Sequence, residues 1–415
     1  MTWCILNPPL NNNRLRMIPV IWMFLWIPVL FRQGLDVFDD LDERLFHHPT
    51  ITSFANDLPF PDLSDYASAT TPLYHILMSP ISWVTNNNLL VLRSVNLCLS
   101  GIALWLAIRA LASWGQPMAA AVGGLCIGMS PYFVGPGVRL STDNAALLSV
   151  FALLYATHPR SKSGPWVAMA CATAAVWTRQ IHLWVLAPMV LAGLTRQRNH
   201  LSWLLVSLLP IAALAPLVGT WGALTPPQFA TGHQGGINID VLVMALGILG
   251  MYSLAFAPWL IRGLRRPQAK LWVPGITALT LALLAQNPMP WADDPNRWGG
   301  ALWSASRTVP ALLDVPATFW FTVPLGGLTL LAFATHPDKD HGRFLSLVAV
   351  AFIGANMLSA RAYQKYYDPM FLFMLAAYIQ GQSEFSRPWI GRAAWVGPCS
   401  LALGLGGVSM IRFFG

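Results

Sequence analysis

Apolar runs recur along this chain with short polar breaks between them, the pattern of helices that cross a bilayer one after another. Read as spans, they fall at 17–31, 89–111, 117–135, 142–158, 164–178, 181–195, 201–219, 239–261, 271–286, 316–334, 344–359, 369–380 and 393–412. The segment 71–84, TPLYHILMSPISWV, is too short and too Pro-marked to cross. It reads as a helix on the outer surface with Trp83 at the headgroups. One long polar interval, the first outer loop at 32–88, separates the first span from the second. It holds Asp36, Asp39, Asp40, Asp42, Glu43, Asp57, Asp62 and Asp65, close to half of the 17 acidic residues. Carboxylates between two membrane-length segments sit at the water boundary, where ionisation costs little.

Charge supports this reading of the topology. It puts Arg14, Arg16, Arg109, Arg160, Lys162, Arg196, Arg198, Arg262, Arg265, Arg266, Lys270, Lys339, Arg343, Arg387 and Arg392 on the inner side. Of the acidic residues, only Asp338, Asp340 and Glu384 join them, as the positive-inside rule requires. If 71–84 crossed, the basic loops 158–164 and 262–270 would turn outward.

Composition excludes a soluble protein: 10% of residues are charged, 55% are apolar and the mean hydropathy is +0.52, against roughly 25% charged in soluble domains. Nothing marks off a soluble domain, so residues 1–415 form one all-α, polytopic membrane helical bundle. The 19 Trp suit interfacial belts. Arg14 and Arg16 before an apolar run resemble a signal peptide, but no small-residue cleavage site follows, and the segment reads as an uncleaved first helix. Five scattered Cys suggest neither a disulfide framework nor a zinc site. The net charge of +8 follows topology and does not call for nucleic acid. GLGG at 404–407 lies inside a span and suits helix packing better than phosphate binding.

The basic residues left outside are the informative ones. They include Arg93, Arg139, Arg179, Arg297, Arg307, Arg361 and Lys365, several of them beside aromatic residues. A lone interfacial Arg is commonly a snorkelling anchor. As a set facing an acidic loop, these residues suit a phosphorylated ligand. Transfer of a sugar from a lipid phosphate needs a carboxylate to deprotonate the acceptor hydroxyl, cations to stabilise the leaving phosphate, and an apolar groove for the lipid tail. A carrier that brings the activated sugar to the outer face requires no nucleotide-binding fold.

Short motifs in a fixed order add to this. They are DERLFHHP (42–49), TTPLYH (70–75), LRSVN (92–96), TRQIHLWV (178–185), WADDPNRW (291–298) with Trp303 and Arg307 beyond, and RAYQKYYDP (361–369). Together they resemble class C glycosyltransferases, membrane enzymes that use polyprenyl-phosphate sugars, and within them the dolichyl-phosphoglucose-dependent α-1,2-glucosyltransferase family. The resemblance implies inverting transfer of a hexose, glucose favoured, to an outer-face glycan or lipid-linked acceptor. It implies Asp42 as the general base, with Glu43 as the alternative. It also implies substrate contacts from His47, Tyr74, His75, Arg179, Gln180, Trp184, Arg297, Arg361 and Lys365.

There are departures. The family has one residue between DE and FH, whereas Arg44 and Leu45 intervene here. Ile181 and His182 replace a Thr-Asn pair, TGHQGG (231–236) reduces a GD-x-x-x-H pattern, and DDPNRW lacks a His. These changes bear on the sugar and the acceptor.

Other readings stay open. His47 and His48 invite a metal, but adjacent helical side chains point roughly 100° apart, and no metal is expected. Asp143 reads as an acid near a helix N-cap. A lipid-linked-sugar transporter or flippase would use the same Arg and aromatic helix ends, although no internal repeat is visible. A non-catalytic assembly factor would not need clustered outer Arg. Short loops without a sorting signal favour a bacterial plasma membrane over the endoplasmic reticulum.

Overall fold

The computed structural model describes residues 12–32, 38–195, 200–230, 236–286, 298–359, 361–382 and 388–415. It is 78% helical with almost no sheet, so the chain is an all-α protein. Among the described residues, six helical stretches are long and apolar enough to cross a membrane: Asn13–Leu30, Leu89–Trp114, Leu201–Trp221, Ile239–Leu264, Ala317–Ala334 and Gly391–Phe414. A seventh is a broken pair, Pro117–Met129 and Pro131–Val138, bent by 62°.

All 13 segments read as spans are helical, but 13 crossings are not established. Pro165–Thr178, Gln180–Thr195, Val273–Gln286 and Asp368–Ile379 are apolar but short. The 12 residues of Asp368–Ile379 rise about 18 Å at 1.5 Å each, well under the roughly 30 Å of a hydrocarbon core. Every residue of that helix is buried, so its unbroken apolar character reflects a central position among other helices as much as contact with lipid.

The elements that build the outer end follow in order. Helix α1 (Asn12–Leu30) leads to α2 (Phe38–Asp42), a π-turn (Glu43–His47) and α3 (His48–Asn56). Helix α4 (Leu73–Val84) packs on α3. The turn 85–88, TNNN, places Asn86 and Asn87 at positive φ, which Asn tolerates better than most residues. Asn88 then caps α5 (Leu89–Trp114) through the N–H groups of Leu90 and Val91 at 3.1 and 3.2 Å. Helices α6 (Pro117–Met129), α7 (Pro131–Val138), α8 (Thr142–Thr157) and α9 (Pro165–Thr178) complete this half.

Helix α4 buries one face, Tyr74, His75, Met78, Ser79 and Ser82, while Leu77 and Trp83 on the other stay exposed. In the second half, Ile239–Ser253 and Ala317–Ala334 pack closely. A Cβ on Gly250 would collide with the Thr322 carbonyl, and one on Gly326 with the Leu246 carbonyl. Glycine is what lets those backbones meet.

Two strands of two residues each, Trp298–Gly299 and Ala362–Tyr363, pair in parallel. They hold the segment before Ala301–Ser306 against the turn that carries Lys365.

Candidate functional site

The acidic loop enters the protein through the π-turn at Glu43–His47. A π-turn takes one extra residue into a helix without ending it, and such turns concentrate at functional sites. Asp42 stands just before the turn, Glu43 opens it and His47 closes it.

Two charged layers lie around this turn. The inner one is a buried network. Asp40 accepts from Arg139 Nε at 2.9 Å, and Glu43 pairs with both Nε and the terminal nitrogen of Arg93. Glu43 also accepts the Leu140 N–H at 2.8 Å. Arg93 and Arg139 donate in addition to the carbonyls of Leu30, Val29 and Arg32. Glu43 and Arg139 are fully buried. Arg93 and Arg139, expected among the ligand-facing cations, are therefore committed to acids of the protein itself. They tie α2 to α1, α5 and the segment after α7.

The outer layer is reached by solvent. Lys365 Nζ lies 2.9 Å from Asp42, 3.7 Å from Asp39 and 3.9 Å from Asp143. Asp143 is in turn ion-paired with Arg179, and Tyr366 lies under both cations, 5.0 Å from the Arg179 guanidinium and 5.6 Å from Lys365 Nζ. The Asp42 side chain is 21% exposed, whereas Glu43 is 0%. Burial alone would lower the Lys365 pKa, but Asp39, Tyr366 and Asp42 outweigh it and raise it, so the ammonium stays charged. Burial raises the pKa of Asp39, with Lys365 opposing and Asp42 reinforcing the shift.

His47 adjoins this layer. Its Nδ1 lies 3.0 Å from His75 Nε2, and His75 Nδ1 lies 2.7 Å from the Tyr66 hydroxyl. Burial, then the positive charges of Lys365 and Arg179, push the His47 pKa down to about 3, so the ring is neutral near pH 7.

The structure thus brings Asp42, His47, His75, Arg179 and Lys365 to one place. Tyr74 is buried beneath, donating to Asn96 at 3.0 Å. Gln180 donates to the Ala69 carbonyl at 2.8 Å and Trp184 to His182 at 3.2 Å, both contacts within the protein. Arg361 is half-buried and joins no ion pair among the described residues. Arg297, Asp293, Asp294 and most of TGHQGG lie outside the described residues.

Four participants escape sequence reasoning. Asp143 is a second carboxylate on Lys365, reachable from sequence only because the start of α8 falls on the same side as the acidic loop. Asp39 and Tyr66 sit in that loop with nothing to single them out.

Asp368 is the fourth. It accepts from Ser130, Tyr252 and Gln364, the last at 3.1 Å, and fixes the turn that carries Lys365. In sequence it reads only as the start of a helix.

Beside the inner layer, a recess of about 160 Å³ is lined by Leu30, Phe31, Leu89, Leu90 and Arg93. It offers apolar surface next to charge. Compared with family models, curated proteins and solved structures, the chain matches none.

Proposed function

We propose that the chain is a membrane glycosyltransferase that moves a hexose, glucose favoured, from a polyprenyl-phosphate carrier to an outer-face glycan or lipid-linked acceptor. The observation that carries this reading is the linkage of Asp42, Lys365, Asp143 and Arg179 in one solvent-reached cluster. Asp42 is the general base in this scheme, as the more exposed of the two adjacent acids. The acceptor oxygen bonds to the sugar C1, and its proton passes to Asp42. The bond from C1 to the phosphate oxygen breaks, and its electron pair leaves with the polyprenyl phosphate, which gains a negative charge. Lys365 and Arg179 stabilise that charge as it develops. One displacement with one base inverts the anomeric centre. The motif order described above supports the family, and the apolar recess beside Arg93 suits a lipid tail.

The rival transporter reading draws on one feature, the broken pair at 117–138. Transporters show such breaks in matching pairs, and no second one occurs among the described residues. Purified protein reconstituted with polyprenyl-phosphate glucose, mannose and pentose separates the two. Covalent transfer to an acceptor supports the enzyme, and movement of intact donor across the bilayer without transfer supports the transporter.

A further inference from the structure

Three carboxylates, Asp39, Asp42 and Asp143, and two cations, Lys365 and Arg179, stand within ion-pair reach of one another. Arg412 acts on Asp39 only through its longer-range field. Counted as ions, three negative charges face two positive ones, which repels an incoming anion. A phosphate enters the cluster when one carboxylate gives up its place. The three acids are not equivalent. Among the described residues, Asp39 and Asp42 pair with Lys365 alone, whereas Asp143 bridges both cations, with Oδ1 on Arg179 and Oδ2 3.9 Å from Lys365 Nζ. Two oxygens of one group, one on each cation, is also the way a phosphate lies between them. Burial raises the Asp39 pKa, but a neutral Asp39 still leaves that place filled. Asp143 has somewhere to go. It stands in the first turn of α8, where the helix dipole favours an acid, and the Ser141 hydroxyl lies 3.2 Å from its Oδ2. The cations stay behind, because the Tyr366 ring lies under both and Lys365 keeps Asp42 at 2.9 Å.

We propose that Asp143 is a resident anion: it occupies the phosphate place between Arg179 and Lys365, withdraws when a phosphate ester binds, and returns when the ester leaves. This deepens the transferase reading and rests on its assignment of the two cations to phosphate. The exchange keeps both cations compensated between turnovers, since one anion replaces another. It also sorts ligands. A neutral sugar or alcohol has no charge with which to displace a carboxylate from two cations, whereas a phosphate ester does.

The test is calorimetric binding of glucose 1-phosphate and of geranyl phosphate to the protein in nanodiscs of zwitterionic lipid. Asp143→Asn keeps the shape and loses the charge. It is expected to bind the esters roughly tenfold to a hundredfold more tightly than the wild type, the removal of one charge-assisted competitor. A merely structural role for Asp143 predicts the opposite sign. A gain confined to geranyl phosphate supports the proposal with a lipid carrier as the ligand, and an equal gain for both supports it with the phosphate group alone as the recognised part. The gain depends on Arg179, so Asp143→Asn with Arg179→Ala binds no more tightly than Arg179→Ala alone. Unchanged or weaker binding in an Asp143→Asn protein of wild-type unfolding temperature overturns the proposal. Should that variant not fold, a structure of the wild type with saturating glucose 1-phosphate decides: Asp143 withdrawn from Arg179 supports the proposal, and Asp143 still bridging both cations beside bound phosphate overturns it. Tighter binding without any sugar transfer removes the transferase reading and leaves the resident anion standing, whereas transfer without the gain does the reverse.

Discussion

Replacing Glu43 by Gln and Asp42 by Asn separates two adjacent acids by their opposite consequences. Glu43 is fully buried and supplies the counter-charge of buried Arg93. The nearest other acid, Asp40, lies 3.9 Å from Arg93 and is already engaged by Arg139 and Arg44. Removing one partner of a buried ion pair leaves a charge without compensation and costs about 3–5 kcal/mol, a large part of the roughly 5–15 kcal/mol that holds a typical protein folded.

Asp42 is partly exposed, and without its charge Lys365 keeps Asp39 at 3.7 Å and Asp143 at 3.9 Å. Lys365 is therefore left with two other carboxylates, unlike Arg93 without Glu43, and the cost to folding is smaller. Loss of a general base, by contrast, lowers the rate about 10²–10⁴-fold. The assay pairs purified yield and thermal unfolding in detergent with sugar transfer in liposomes. Glu43→Gln is expected to be poorly folded, and Asp42→Asn well folded and inactive. A Glu43→Gln protein that unfolds like the wild type yet transfers nothing would refute this assignment and make Glu43 the base.

Three further outcomes are expected. Arg179→Ala removes a charge-assisted contact worth about 1.5–3 kcal/mol, lowering kcat/KM for the donor roughly tenfold to a hundredfold in steady-state kinetics while the protein remains folded. Acid weakens the fold through His47, whose folded pKa of about 3 lies below the unfolded value of 6.5. Its contribution is fully present above pH 6.5 and is lost towards pH 3 at about 1.4 kcal/mol per pH unit, so thermal unfolding measured between pH 7.5 and 5 should fall less steeply in His47→Gln. Gly326→Val forces a Cβ into the Leu246 carbonyl, and overpacking of about 3 kcal/mol should show as lost yield and a lower unfolding temperature.

The bundle was legible because apolar runs and positive-inside charge are averages over many residues, and averages survive local irregularity. The crossings were less so: Asp368–Ile379 reads as a span, yet a helix enclosed by protein on all sides needs apolar residues for the same reason as one in lipid. At the candidate site, Asp42, Lys365 and Arg179 were readable as charges that break the pattern. What could not be read was their pairing. Arg93 and Arg139 look like Arg179 in sequence, and only their contacts with Glu43 and Asp40 show them to be internal. Nor could the contacts of His47 with His75 and of His75 with Tyr66 be read, since the three residues have no periodic relation along the chain.

The most direct measurement is transfer of labelled glucose from polyprenyl-phosphate glucose to an outer-face acceptor in liposomes, for wild type, Asp42→Asn and Lys365→Met of matched unfolding temperature. Transfer by the wild type, with a loss of about 10²-fold or more in Asp42→Asn and a marked loss in Lys365→Met, is the expected result. Wild-type rates in both variants would contradict a shared catalytic cluster at Asp42 and Lys365.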